Sequence, residues 1–285
     1  MRFASLPEIL GPCVGQPWAV GAFDIINLEL TQAALEAAQA EKSPIILMIL
    51  PSLVSEQDMP ALVAAVRAQA ECVDVPVALL LDHAVDFRRI TQGIRLGFSA
   101  VMFDGSHLPL EENLARTRQV VDMAHPAGVS VEAELGHVGG GDEAGSEDFG
   151  QSVFTRLDEA LRFVNETGVD ALAVSIGTSH GPYKARPQLD FERLQQLRQN
   201  LDVPLVLHGG SGTPDEDTRH AIAVGIDKIN VWTDVVVAYM AAARRELTEA
   251  EGSCRMNAML AAGRSAAGQV IREKMQLFGS SCRAA

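Results

Sequence analysis

Three of the chain's seven histidines stand just after short apolar runs: His83 after VALLL, His180 after ALAVSI and His208 after PLVL. Three neutral imidazoles that meet around one open position make a catalytic zinc site, and zinc so held is a Lewis acid able to polarise a carbonyl oxygen. Asp82 adjoins His83, so one run ends in two titratable side chains where turn residues are the norm. Asp104 and Glu134 also stand at run ends. They could orient the imidazoles, offer an alternative metal position, or simply hydrogen-bond neighbouring backbone. The other histidines, His107, His125, His137 and His220, fall in loops or helical stretches.

Glycine beside these residues is a second signal. Gly181 and the run Gly209, Gly210, Ser211, Gly212 could expose backbone amides, and Thr213-Pro214 then reads as a helix start. A loop opening into a helix suits an anion, because unpaired amides and the positive end of the helix dipole point the same way. Tight turns alone would also explain either glycine run. With Lys184 added, the pattern suggests a phosphate beside the metal.

These residues can meet only if their elements converge. Eight Val-, Ile- and Leu-rich runs, at 19–25, 44–50, 75–81, 100–103, 130–135, 171–176, 204–207 and 228–232, alternate with stretches of helical period. The helical stretches are 28–40, 59–70, 86–96, 110–124, 157–167, 191–200, 214–224 and 234–247, with a further one at 256–278. Strands apolar on both faces, alternating with helices, predict an α/β fold, a (β/α)8 TIM barrel with additional C-terminal helices. An open doubly wound sheet is the rival. No linker or low-complexity segment divides the chain, so one domain over residues 1–285 is expected. In a barrel the residues just past every strand share one mouth. The polar, Gly-rich stretch 137–151 would then be a long loop on that face.

The composition, 47% hydrophobic and 21% charged over 285 residues, suits an ordinary globular core. A formal charge of −14 argues against nucleic acid or an anionic membrane as partner. The opening residues MRFASLPEILG do not read as a signal peptide and no apolar stretch approaches a membrane span, so a cytoplasmic protein is expected. Cys13, Cys72, Cys254 and Cys282 are scattered and read as reduced bystanders, Cys13 and Cys72 as packing thiols.

Six stretches in order, LDH at 81–83, MFDGSHLPLEENL at 102–114, VEAELG at 131–136, GTSHG at 177–181, LHGGSG at 207–212 and KINVWTD at 228–234, resemble the class II, zinc-dependent ketose-bisphosphate aldolases. The branch most similar is that of the tagatose- and fructose-bisphosphate aldolases, and the resemblance runs from about residue 5 to the C-terminal helices. It implies zinc held by His83, His180 and His208, with Glu134 and Asp104 as alternative or auxiliary metal residues, and it allows a monovalent cation as well. Asp82 is implied as the catalytic acid that exchanges a proton with the aldehyde half. Gly181, Lys184, Gly209, Gly210, Ser211, Asn230 and Thr233 match positions that hold dihydroxyacetone phosphate. The implied reaction is reversible aldol cleavage of a sugar phosphate, by a homodimer or homotetramer in which the C-terminal helices take part.

Four departures bear on the substrate. Asp24 stands where the family has an Asn that helps bind the far end of the sugar, and Leu50-Pro51-Ser52-Leu53 replaces a Ser or Thr followed by Gly at the distal phosphate. An ionised acid near a dianion would oppose it by about 4 kcal/mol per charge pair at roughly 4 Å and an effective dielectric of about 20. An aldehyde half that is uncharged, or that carries its charge elsewhere, is therefore expected, unless other side chains hold a distal phosphate. In the loop after the fifth strand Asp142 takes the usual Glu position and Glu143 follows; either could handle the carbon-bound proton. Trp232 replaces a small residue, where it would narrow the mouth or pack on the next helix.

Two other functions fit part of the pattern. A metal-dependent hydrolase on the same barrel would commonly carry an H-x-H pair on the first strand, which here ends in Phe23-Asp24. A catalytically silent phosphosugar-binding protein would be expected to have lost Asp82 or a ligand, and none is lost.

Overall fold

The structure, a computed structural model, describes residues 2–140, 153–183, 185–249 and 255–284. Eight parallel strands close into a barrel in sequence order, each hydrogen-bonded to the next and the eighth to the first. They are β1 (Val20–Asp24), β2 (Ile45–Ile49), β3 (Val77–Ala84), β4 (Ala100–Phe103), β5 (Ser130–Leu135), β6 (Ala171–Val174), β7 (Leu205–Leu207) and β8 (Lys228–Val231). The barrel expected from the alternation of runs is the one observed, and the open sheet is excluded.

Around the strands lie α2 (Leu28–Glu41), α3 (Met59–Ala70), α4 (Phe87–Leu96), α5 (Leu110–Ala124), α6 (Leu157–Thr167), α7 (Phe191–Asn200), α8 (Asp215–Val224) and α9 (Thr233–Glu249). Local chemistry sets their ends. The Asn27, Asp86 and Asp190 side chains accept hydrogen bonds from amides in the first turns of α2, α4 and α7, and Gly97 and Gly168 close α4 and α6 in left-handed conformations. The last helix, α10 (Met256–Leu277), packs on α9 and α2, burying Ile271 and Met275. No helix of the described residues is long and apolar enough to cross a membrane.

The pleat sorts the strand residues into two cores. Ile45, Leu47 and Ile49 of β2, with Val77, Leu79 and Leu81 of β3, face the helices. Ile46 and Met48, with Ala78 and Leu80, fill the barrel interior. One element escaped the sequence reading: α1 (Leu6–Leu10), a short helix with a Ser5–Glu8 capping box. Its Leu6, Ile9 and Leu10 join the interior core, and the Leu6 amide donates to Ser130 Oγ at the start of β5 at 2.9 Å. This helix plugs the end of the barrel opposite the strands' C-termini. It is too short to show a period of its own, and is helical because the barrel floor covers its apolar face.

Cys13 is buried against α1, and burial pushes its thiol up to about 12, which keeps it unreactive. The expectation for Cys72 is corrected: it is exposed, not packed, as is Cys282. Cys254 lies outside the described residues.

Because α1 closes the end away from the strand C-termini, Leu10→Ala should cost about 2–5 kcal/mol through a cavity in the interior core. Urea unfolding followed by circular dichroism checks this; an unchanged midpoint would show that the plug contributes nothing.

Candidate active site

Adjacent residues on a strand normally point to opposite faces. Ala78 and Leu80 point inward, so Asp82 continues the inward series and His83 should turn away. It does not. The register of β3 on β4 runs Leu81 to Val101 and then Ala84 to Phe103, one residue more on β3 than on β4, and His83 takes φ +43°. Such a bulge re-aims a side chain, and the left-handed backbone costs a non-glycine residue about 1–2 kcal/mol. Asp82 and His83 consequently both line one cavity of about 470 Å³ at the C-terminal mouth.

His180, in the loop after β6, and His208, the residue after β7, meet His83 there. Ring centroids lie 5.1 Å apart for His83 and His180, 4.7 Å for His83 and His208, and 5.6 Å for His180 and His208. Each ring is held from behind. His83 Nδ1 is 2.8 Å from Asp104 Oδ2, His208 Nε2 is 3.1 Å from Glu132 Oε1, and the His180 ring donates to the Val138 carbonyl. These partners place the ring protons on the outer nitrogens, which leaves inward lone pairs on His83 Nε2, His208 Nδ1 and His180 Nε2.

The buried atoms without a hydrogen-bond partner fit a metal. They include His180 Nε2, His208 Nδ1, Asp82 Oδ1 and Glu134 Oε2. Glu134 Oε2 and His208 Nδ1 lie 3.1 Å apart without hydrogen-bond geometry between them. Ligand atoms of His83, His180 and His208 all fall within 4.8 Å of one another, as do those of His83, Asp104 and Glu134. Unpaired buried lone pairs are costly unless a cation satisfies them.

The local field agrees. Burial alone would lower the His83 pKa, yet Asp82, Asp104 and Glu134 outweigh it and raise it to about 10. Burial would raise Asp104, but its hydrogen bond to His83, the His83 charge and Ser106 hold it well below the usual carboxylate range. His180 moves down, through burial and then the charges of His83 and His208. The pocket thus demands positive charge at its centre. Asp104 is reached from the far side too: Ser106 Oγ donates to its Oδ1 at 2.7 Å and lies 3.0 Å from His137 Nδ1. Asp104 therefore lies behind His83 as an orienting group, while Glu134 Oε2 faces the lone pairs.

Sequence reasoning passed over two buried charges. Inward from β5, two residues before Glu134, lies Glu132; inward from β8, two before Asn230, lies Lys228. Lys228 Nζ is 2.9 Å from the Glu132 carboxylate and 2.7 Å from Asn230 Oδ1. Burial would raise Glu132, and Lys228 and His208 bring it down to about 2. The period of two was legible, and a charged residue within an apolar strand was the available signal.

Of the remaining expected residues, Asp24, Gly181, Gly209, Ser211, Asn230 and Thr233 line the same cavity. The anion loop is narrower than expected. The Gly210 amide donates to the Asn230 carbonyl at 3.0 Å and the Gly212 amide to Asp234 Oδ2 at 3.2 Å, so neither is available to a ligand, and Gly210 does not reach the cavity wall. Gly209 is required sterically, with φ +66° and a position where a Cβ would sit 2.3 Å from the Ser179 carbonyl oxygen. The first turn of α8 already holds Asp215, Glu216 and Asp217, whereas α9 starts at Thr233, directly after Trp232. The helix end facing the mouth is that of α9, not α8. Tyr183 ties the two loops, accepting from the Ser179 amide and donating to the Gly209 carbonyl. Trp232 both lines the cavity and packs on the outer core. Asp142, Glu143 and Lys184 lie outside the described residues.

At the opposite wall Asp24 changes the electrostatic expectation. Burial and then the charge of Asp82 raise its carboxyl well above the ordinary range, favouring the neutral acid. The repulsion expected of an ionised Asp24 is thereby relieved, and the side chain can donate much as an Asn would.

With this geometry in place, comparison with known proteins is decisive. A family profile described as fructose-bisphosphate aldolase class-II matches residues 4–283. The chain belongs to the class II fructose-bisphosphate aldolase family. It is similar to the sulfofructosephosphate aldolase of Alkalicoccus urumqiensis, at 38% identity over 100% of this chain and 99% of that protein. It is as similar to the fructose-bisphosphate aldolase of Geobacillus stearothermophilus, at 40% identity with 100% of both covered. The crystal structure of the YdjI aldolase from Escherichia coli K12 superposes with a TM-score of 0.88 at 32% identity, with 100% of both chains covered. This class II aldolase is thus a carbon-carbon lyase that performs aldol cleavage.

Since Glu132 fixes the His208 ring and neutralises Lys228, Glu132→Gln should weaken metal binding about 10- to 100-fold. Competition against a chromophoric chelator reads this. Unaltered affinity would detach Glu132 from the metal centre.

Proposed function

We propose that the chain is a zinc-dependent aldolase that reversibly cleaves a ketose phosphate into dihydroxyacetone phosphate and an aldehyde that is uncharged at the family's distal phosphate position. We take it as one catalytic domain, acting in the cytoplasm as a homodimer or homotetramer. The observation that carries the reading is the β3 bulge, which aims Asp82 and His83 into one cavity with His180 and brings His83 against the buried His208.

His83 Nε2, His180 Nε2 and His208 Nδ1 are the atoms suited to hold zinc, with Glu134 Oε2 as an alternative ligand; an imidazole triad with an open position favours that metal. Bound there, zinc would supply Lewis-acid polarisation of a substrate carbonyl. The chain's own residues do the rest. Asp82 Oδ1, buried and unpaired, accepts the proton of the C4 hydroxyl in cleavage and returns it in condensation. Asp104 and Glu132 keep His83 and His208 in register by fixing their outer nitrogens. The Ser211 hydroxyl accepts from the Trp232 and Asp234 amides at 3.2 Å, joining the Gly loop to the start of α9, and this seam is where the phosphate of dihydroxyacetone phosphate fits. Lys184 and one of Asp142 and Glu143 complete the proposed set, the former at the phosphate and the latter at the carbon-bound proton.

Support for the acceptor half comes from the opposite wall. Leu50, Pro51 and Ser52 line it beside the uncharged form of Asp24, a stretch that offers two neutral donors and no cation to a phosphate dianion. Relatives at 38% and 40% identity are named for different substrates, so overall similarity does not set the acceptor.

Asp82→Asn should retain bound zinc and lose about 10²- to 10⁴-fold in kcat for cleavage; a variant with near-normal kcat would remove Asp82 from the proton transfer. Cleavage of fructose and tagatose 1-phosphates should rival that of the 1,6-bisphosphates. Strong preference for the bisphosphates would restore a distal phosphate site of the usual kind.

A further inference from the structure

The cavity wall beyond Asp24 carries two guanidinium groups with no assigned task. Asp86 caps α4, its side chain accepting from the Arg89 amide at 2.8 Å, which seats the first turn of α4 just beyond His83. Arg88 and Arg89 project from that turn, and among the described residues they are the only lysine or arginine side chains on the cavity wall. Arg89 is held, 19% exposed; Arg88 is 69% exposed and free to adjust.

Both reach the same carboxylate oxygen, Glu56 Oε1, at 2.5 Å from Arg88 and 3.2 Å from Arg89. Set against Glu56 and against Asp86, which lines the same wall, the two guanidinium groups leave no excess charge at the rim, but they bring several N–H donors there in a chain whose formal charge is −14. Deeper in the cavity the chain presents Asp24 and Asp82, and between lie Leu50, Pro51 and Val85. The wall therefore combines acidic, apolar and basic side chains, the basic ones on α4 next to its capping Asp86. On the Arg88 side the pair with Glu56 is exposed and contributes little stability, so an incoming oxyanion can share or displace it there. Paired guanidinium groups suit a planar or tetrahedral oxyanion by forked hydrogen bonding.

We propose that Arg89, assisted by Arg88, is the specificity-determining contact for a terminal oxyanion on the aldehyde half, a sulfonate or carboxylate held at the cavity rim. This deepens the reading above and rests on it: the acceptor is uncharged where the family's distal phosphate lies and carries its charge further out, against α4.

Condensation of dihydroxyacetone phosphate by the zinc-loaded full chain tests the proposal, with neutral glyceraldehyde compared against three-carbon and four-carbon aldehydes ending in sulfonate or carboxylate. The wild type should prefer at least one anionic aldehyde, and the terminus preferred identifies the oxyanion. Arg89→Gln should lower the ratio of anionic to neutral kcat/KM about 10- to 100-fold, mainly through KM, with Arg88→Gln having a smaller effect of the same sign. Glu56→Gln separates recognition from structure: it breaks the same ion pair but keeps the guanidinium groups, so the ratio should hold or rise. A wild-type ratio near one, a ratio unmoved by both arginine substitutions, or a loss in Glu56→Gln equal to that in Arg89→Gln overturns the inference while leaving the aldolase reading in place. No condensation with any aldehyde overturns both.

Discussion

A β-strand presents neighbouring side chains to opposite faces, and a site that needs an acid and an imidazole from one strand has to break that alternation. In this barrel the break is one extra residue in β3, with His83 in a left-handed backbone that only surrounding contacts can hold. Asp104, from the next strand, grips the outer nitrogen of His83, and Ser106 grips Asp104 in turn. The bulge and the hydrogen bonds that hold it form one device. Without it Asp82 would face the cavity alone, and His180 and His208 would lack their third partner.

The rest of the mouth follows from what that arrangement costs. Carboxylates lie beneath and behind three imidazoles, one buried and two half-buried, and several of the inward atoms have no hydrogen-bond partner. In the barrel interior Glu132 is paired with Lys228, an arrangement that steadies His208 and neutralises both charges. Stability comes from elsewhere: the two apolar cores, the α1 plug and the docking of α10 on α9 and α2. Burden and support sit at opposite ends of the same strands, as is general for this fold.

Much of this was legible in the sequence because it is periodic. Runs of Val, Ile and Leu gave the eight strands within a few residues, and α3, α5, α6 and α7 have the bounds their helical period indicates. His83, His180 and His208 stood out because imidazoles are unexpected at the ends of apolar runs. What stayed hidden depends on pairing through space. Glu132 and Lys228 are 96 residues apart, and nothing local says that each neutralises the other. The Gly210 and Gly212 amides looked available until Asn230 and Asp234 proved to occupy them. Asp24 read as a repelling charge, which only its burial beside Asp82 corrects. Arg88 and Arg89 lie within the helical stretch 86–96, and their place on the cavity wall follows from how α4 is seated.

The convergence of three imidazoles on one cation is the centre of the proposed function, and X-ray absorption at the zinc edge of the zinc-loaded protein measures it directly. Three nitrogen ligands at roughly 2.0–2.1 Å, with the outer-shell scattering of three imidazole rings, are expected. A first shell made of oxygens, or one lacking that ring scattering, would contradict the arrangement described.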